Sequence, residues 1–264
     1  WFHGSVSGCS RQEFKTTGCI VVMDLVPLVR YLADRGNVIL LESQSSDHPW
    51  SRKSYLAALP EAEIVARDDH ITITQNGHER HETGNPWEWL HTFRAEQEGW
   101  LVGYLGYDLK NHIEDLHSQN PDPISAPDLF FMNPGLLIEI DAASNTIDVI
   151  QGKIPHKCEY SQYHEGNSNF VLDDFYPVVP RDDYLDRIDQ IQQGIFEGTY
   201  YEVNLSHQMK GVFEGDTLAL YQRMKKIGPV PFGAYMKLAD LTICCQSPER
   251  FLAKEGATVF SQPI

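Results

Sequence analysis

Apolar positions fall at helical spacing in three stretches and alternate with polar ones in many short runs. From Asp24 to Arg35 the spacing predicts a helix that stops at Gly36, a residue suited to the position just past a helix end. Val38–Leu41 is a continuous apolar run, the signature of a buried strand. Ile71–Gln75, then Asn76-Gly77, then a polar run, predicts a β-hairpin with a two-residue turn. Further strands are predicted at 100–107, 129–132, 136–140 and 146–150. Residues 153–180 are polar and aperiodic, end in Tyr176-Pro-Val-Val-Pro180, and read as a connection between two halves.

The clearest helix follows, from Asp182 to Glu197. Tyr184, Leu185, Ile188, Ile191, Ile195 and Phe196 make one apolar stripe, with Asp182 and Asp183 at the positive end of the helix and Gly198 after it. A second helix is predicted from about 217 to 226, with Asp216 as N-cap and Gly228 as the stop. Period-two strands are predicted at 200–209, 232–238, 241–245 and 250–254. Many antiparallel strands covered by a few helices make the expected class α+β. The expected domains are 1–152, a connecting segment 153–180, and a second half from 181 to 264.

The acidic balance narrows the function. With 21 basic and 37 acidic residues the formal net charge is -16, a field that repels nucleic acid. It also repels a small dianionic substrate unless local donors reverse it. No run approaches the length of apolar chain that spans a bilayer. The five cysteines show no C-x-x-C spacing, which points to reduced thiols and a cytoplasmic location.

Four segments carry the chemistry. The first is Leu40-Leu41-Glu42-Ser43 with Asp47-His-Pro-Trp-Ser-Arg52 after it; the second is Gly103-Tyr-Leu-Gly-Tyr-Asp-Leu109, with Ala126-Pro127-Asp128 downstream. The third is Glu197-Gly-Thr-Tyr-Tyr-Glu-Val-Asn-Leu-Ser206, then Pro231-Phe232; the fourth is Ser247-Pro-Glu-Arg-Phe-Leu252, running into Pro263-Ile264. In this order they resemble the chorismate-utilising enzymes, in particular component I of aminodeoxychorismate synthase, with component I of anthranilate synthase the close relative. The D-H-P-W-S-R block, V-N-L and S-P-E-R-F favour the aminodeoxychorismate branch.

The resemblance implies a fold of large antiparallel sheets with outer helices. It also implies that the chain ends partway through the catalytic half, one residue before the position that separates the two chemistries. A lysine there would be the nucleophile of aminodeoxychorismate synthesis; an alanine marks the anthranilate branch, where ammonia attacks directly. Glu249 of S-P-E-R takes the role of general acid. Displacing a ring hydroxyl requires a proton, because hydroxide is a poor leaving group. The Mg²⁺ implied by the family would be held by glutamates beyond residue 264, and the ammonia would come from a glutamine amidotransferase partner. The N-terminal half would carry an amino-acid pocket of the tryptophan type, around Ser43, Trp50, Ser51, Arg52, Lys53, Pro231, Phe232 and Gly233. Lys53, Glu202 and Gly233 depart from the residues common in that pattern. The alternatives are anthranilate synthesis and a non-catalytic amino-acid-binding module.

Other features read as structural. His78 with His81, and His112 with His117, lack a third ligand and read as solvated loop histidines. Gly103-x-x-Gly106 has no following helix, so its glycines read as relief of crowding in a strand rather than a dinucleotide loop. Cys244 and Cys245 would face opposite sides of one strand.

Overall fold

The computed structural model describes residues 24–45, 52–116, 118, 120–141, 144, 146–165 and 169–263. In chain order they form α1 (Leu25–Ala33), β1 (Val38–Glu42), β2 (Lys53–Arg67), β3 (His70–Gln75), β4 (His78–Thr83), α2 (Pro86–Glu96), β5 (Val102–Leu105), β6 (Leu129–Asp141), β7 (Thr146–Gln151) and α3 (Lys157–Tyr160). Then come β8 (Phe170–Pro177), α4 (Arg181–Phe196), β9 (Met209–Gly215), α5 (Thr217–Ile227), β10 (Phe232–Leu238), β11 (Leu241–Ser247), β12 (Arg250–Glu255) and β13 (Thr258–Gln262). The class is α+β, as the pattern predicts. Asn167–Leu220 forms one compact unit and the remainder of the chain another.

The larger unit is built on an antiparallel sheet of nine strands. β2 is its spine. The first half of β2 pairs with β1, its second half with β3, and β6 runs along its other edge for nearly the whole length. β10 and β11 extend the sheet beyond β1, β4 lies beyond β3, and β5 and β7 pair with β6.

Two prolines explain why this long pair is hard to read in sequence. Pro60 of β2 lies opposite Pro134 of β6, at a register shift in the ladder, so neither missing N–H breaks a regular hydrogen bond. Leu59 there has φ 54°, and a Cβ on Gly135 would come within 2.5 Å of the Leu59 carbonyl oxygen. The pattern around Pro134 predicts two strands; the structure has one bent strand of 13 residues.

Apolar side chains from the two faces of the sheet make separate cores. One joins Ile39, Leu41, Ala57, Phe130, Met132, Ala234 and Met236. The other joins Ile64, Ala66, Ile71 and Leu129 to Phe93 of α2 and Leu109 of a 3₁₀ turn at Tyr107–His112. α1 lies against β1 and β2 with Leu28 and Leu32 fully buried. α3 and the 3₁₀ turn after it lie against α1, where the Tyr31 hydroxyl donates to Glu159 at 3.0 Å.

Local signals act where the sequence places them. Asp24 caps α1 by accepting from Val26 N–H at 3.0 Å, and Asp216 caps α5 by accepting from the N–H groups of Leu218 and Ala219. Asn76 and Gly77, at φ 52° and 77°, close the β3–β4 hairpin in the left-handed region that its two-residue turn requires. α2 begins with an Asn85 cap and Pro86 at its first turn, a start signal the apolar spacing alone does not reveal. The strand predicted at 200–209 is confined to β9, which begins at Met209. The run 200–208 joins no strand ladder among the described residues, and Tyr201 is 96% exposed.

In the smaller unit, β8 pairs with β9 around a shift at Asp173/Tyr176. Gly198, at φ 79°, ends α4, and the Thr199 N–H reaches back to the Gly194 carbonyl at 2.8 Å. No helix among the described residues is long and apolar enough to cross a membrane.

Candidate functional site

Segments nearly two hundred residues apart meet at one end of the sheet. The antiparallel register sets Glu42 of β1 opposite Gly233 of β10, and Gly233 opposite Gln246 of β11. Phe232 in turn lies opposite Ser247. The L-L-E-S, P-F and S-P-E-R segments are therefore hydrogen-bonded neighbours. This juxtaposition is dictated by strand pairing, because each segment is the end of a strand whose interior is apolar.

Glu249 stands in the turn between β11 and β12, exposed to solvent. The Ser247 hydroxyl holds that turn: it donates to the Glu249 carbonyl at 3.1 Å and accepts from the Glu249 N–H at 3.4 Å. Next in the chain, the Arg250 guanidinium lies 5.1 Å from the centre of the Phe232 ring. The turn thus has a fixed backbone and presents a carboxylate, with a cation held to the adjacent strand.

Of the residues expected around an amino-acid pocket, the structure brings Ser43, Pro231, Phe232 and Gly233 to the same sheet end. The Ser43 N–H donates to the hydroxyl of buried Ser54 at 3.0 Å. Trp50 and Ser51 lie outside the described residues, and Arg52 is exposed. Lys53 points to β6, where its ammonium is 2.6 Å from a Glu139 carboxylate oxygen; the Tyr55 hydroxyl donates to the other oxygen at 2.9 Å. Glu202 is exposed in the smaller unit.

The polar centre of this region consists of residues that sequence reading passes over. Glu42 is mostly buried, its side chain 11% exposed, and both carboxylate oxygens are engaged. Lys225 of α5 donates to one at 2.6 Å and the Tyr221 hydroxyl to the other at 2.9 Å. Tyr221 is fully buried, and burial, reinforced by the Glu42 charge, pushes its pKa well up, so it stays a donor. The Gln44 amide donates to the Tyr221 hydroxyl at 2.9 Å and its carbonyl accepts from the Val230 N–H at 3.1 Å. The Gln44 N–H meets the Val230 carbonyl at 3.0 Å. The helical spacing of Tyr221 and Lys225 puts both on one face, but nothing in sequence links that face to Glu42.

The second motif is scaffolding. A Cβ on Gly103 would fall 1.9 Å from the Phe130 carbonyl oxygen, and one on Gly106 would fall 2.9 Å from that of Asp128. The Tyr104 hydroxyl donates to the Pro127 carbonyl at 2.8 Å, and Asp128 accepts from the Asp68 N–H at 2.7 Å. The glycines therefore relieve crowding. Cys244 and Cys245 are half-buried on β11. Burial, followed by its neighbour Cys245, raises the Cys244 pKa to about 11 and holds it in the thiol form; burial also raises Cys245. Neither is poised as a nucleophile.

Among the described residues no three His, Cys, Asp or Glu side chains converge as a metal cage. His78 and His81 are exposed on β4, and His117 lies outside the described residues.

Comparison with known proteins gives one consistent result. The family model described as chorismate binding enzyme matches residues 37–264. Anthranilate synthase component 1 of Methanothermobacter thermautotrophicus is 26% identical, over 85% of this chain and 50% of the relative. Aminodeoxychorismate synthase component 1 of Escherichia coli is 22% identical, over 86% of this chain and 53% of the relative. The crystal structure of anthranilate synthase component I from Streptococcus pneumoniae shares the fold with a TM-score of 0.64 and 17% identity, over 81% of this chain and 54% of that one. The chain spans about half the length of the curated relatives it matches.

Proposed function

Because the chain belongs to the chorismate binding enzyme family, we propose that it is the chorismate-binding subunit of an aminodeoxychorismate synthase. The reaction replaces the C4 hydroxyl of chorismate with ammonia, giving 4-amino-4-deoxychorismate and water for para-aminobenzoate and folate synthesis. The observation that carries the reading is the meeting of the L-L-E-S, P-F and S-P-E-R segments at one sheet end, with Glu249 presented by a turn that Ser247 fixes. The sequence of those segments supports this branch over anthranilate synthesis.

Glu249 delivers the proton that lets the C4 oxygen leave as water, and in the net reaction ammonia forms the carbon–nitrogen bond at C4 and gives a proton back. A glutamine amidotransferase subunit supplies ammonia. The protein works in the cytoplasm, where chorismate and glutamine are both at hand. A second reading, anthranilate synthesis, draws on the comparable identity to relatives that carry that name. There the same fold releases the ring substituent as pyruvate.

Glu249→Gln tests the acid. Turnover of chorismate by the intact enzyme in ammonium buffer supplied with Mg²⁺ should fall roughly 10²–10⁴-fold with the fold unchanged, the usual contribution of a positioned acid. Near-normal turnover removes Glu249 from the reaction.

A further inference from the structure

Buried polar atoms without a hydrogen bond are uncommon in a folded protein and ask for a reason. Both polar atoms of the Gln246 carboxamide, Nε2 and Oε1, are withdrawn from solvent with no partner among the described residues. The same holds for Oε1 of Gln262. Gln246 lies on β11 directly before Ser247, whose hydroxyl fixes the turn of Glu249. Gln262 ends β13 opposite Arg250, the residue directly after Glu249. The two amides therefore bracket the turn that presents the candidate acid. One is on the strand that enters the turn, the other on the partner of the strand that leaves it.

An unmet buried donor or acceptor is expensive, whereas an apolar side chain of the same length would avoid the cost. A glutamine is favoured at such a position only when something brings matching groups to it. A carboxamide donates through nitrogen and accepts through oxygen. It therefore suits a ligand that carries both carboxylate and hydroxyl groups: the carboxylate accepts from Nε2, and the hydroxyl donates to Oε1. Neutral amides also suit this chain. The formal net charge of -16 repels an anionic substrate, and amide donors offset that locally without adding a positive charge. A cation beside an acid would favour its ionised form; the nearby guanidinium of Arg250 lies instead over the Phe232 ring.

We propose that Gln246 and Gln262 are specificity-determining residues whose carboxamides hold the carboxylate and hydroxyl oxygens of the substrate beside Glu249. The inference rests on the chorismate reading proposed above and adds two residues that lie outside its motifs.

Gln246→Met and Gln262→Met keep the length of the side chain and remove the amide. In the intact enzyme each should raise KM for chorismate about tenfold, roughly the loss of one hydrogen bond. The fall in kcat should be much smaller, because the contact is made before the reaction as well as during it. Without ligand, neither variant should melt below the wild type, since no bond within the protein is lost. Saturating chorismate should raise the melting temperature of the wild type more than that of either variant. An unchanged KM would overturn the assignment of that residue. A lower ligand-free melting temperature would do the same, because the amide would then be bonded within the fold. A wild-type enzyme that leaves chorismate untouched would refute the underlying reading and the inference with it, a failure that the wild type alone reveals.

Discussion

Gly103→Ala is the sharpest test of how the sheet is assembled around the second motif. The added methyl would sit 1.9 Å from the Phe130 carbonyl oxygen and 2.7 Å from the Phe131 Cα. Ordinary carbon–oxygen contacts across a sheet are about 3.3 Å or more, so β5 and β6 must part by more than about 1 Å. Both obstructing atoms are backbone of the strand that also pairs with β2, and no rotamer change removes them. Separation forfeits the register from Val102↔Met132 to Leu105↔Leu129 and the Tyr104–Pro127 hydrogen bond. Overpacking in a sheet interior costs about 1–3 kcal/mol and occasionally more; with backbone on the far side, we expect about 3 kcal/mol.

At about 2–4 °C per kcal/mol for a chain of this size, the melting temperature should fall by about 6–12 °C. Gly77→Ala makes the same chemical change at a hairpin turn with open space around it and φ 77°, where only backbone strain of about 1 kcal/mol applies. Both variants are compared with wild type by circular dichroism melts and urea titration. A Gly103→Ala protein as stable as Gly77→Ala, or more so, would refute the crowding account.

Two further outcomes follow from burial. Burial raises the Tyr104 pKa from 10.0 to about 12, so its contribution is complete below pH 10 and is lost as pH rises toward 12, where the unfolded chain ionises first. Tyr104→Phe should therefore show a shallower alkaline loss of melting temperature in that window, and an unchanged slope would contradict it. Among the described cysteines, exposed Cys158 should react with iodoacetamide well before Cys244 and Cys245, whose thiols burial keeps protonated; peptide mass spectrometry against time would reveal the opposite order.

What was legible in the sequence depended on how local its cause is. α1, α4, α5 and the β3–β4 hairpin follow from caps, stripes and an Asn-Gly turn, all set by neighbours within a few residues. β2 and β6 did not read as the long central pair, because each carries a proline whose harmlessness depends on the other strand. β8 hid in a stretch that reads as a connection, since its bulge near Asp174, at φ 47°, breaks the alternation. The run 200–208 has the alternation of a strand, yet joins no strand ladder among the described residues; periodicity states what a segment can do, and a partner strand decides whether it does. The same limit applies to the site. Ser43, Pro231–Gly233 and Glu249 are visible as motifs, but Glu42, Gln44, Tyr221 and Lys225 form a cluster only after the register of β1 on β10 brings α5 over them.

The most direct test of the proposed function is the identity of the product. Chorismate is incubated with the intact enzyme, ammonium and Mg²⁺, with and without a glutamine amidotransferase subunit and glutamine, and followed by liquid chromatography–mass spectrometry. The account predicts 4-amino-4-deoxychorismate, an amine that retains the enolpyruvyl side chain, with no pyruvate released. Fluorescent anthranilate with matching pyruvate would contradict the branch assignment, and unchanged chorismate under every condition would contradict the enzymatic reading altogether.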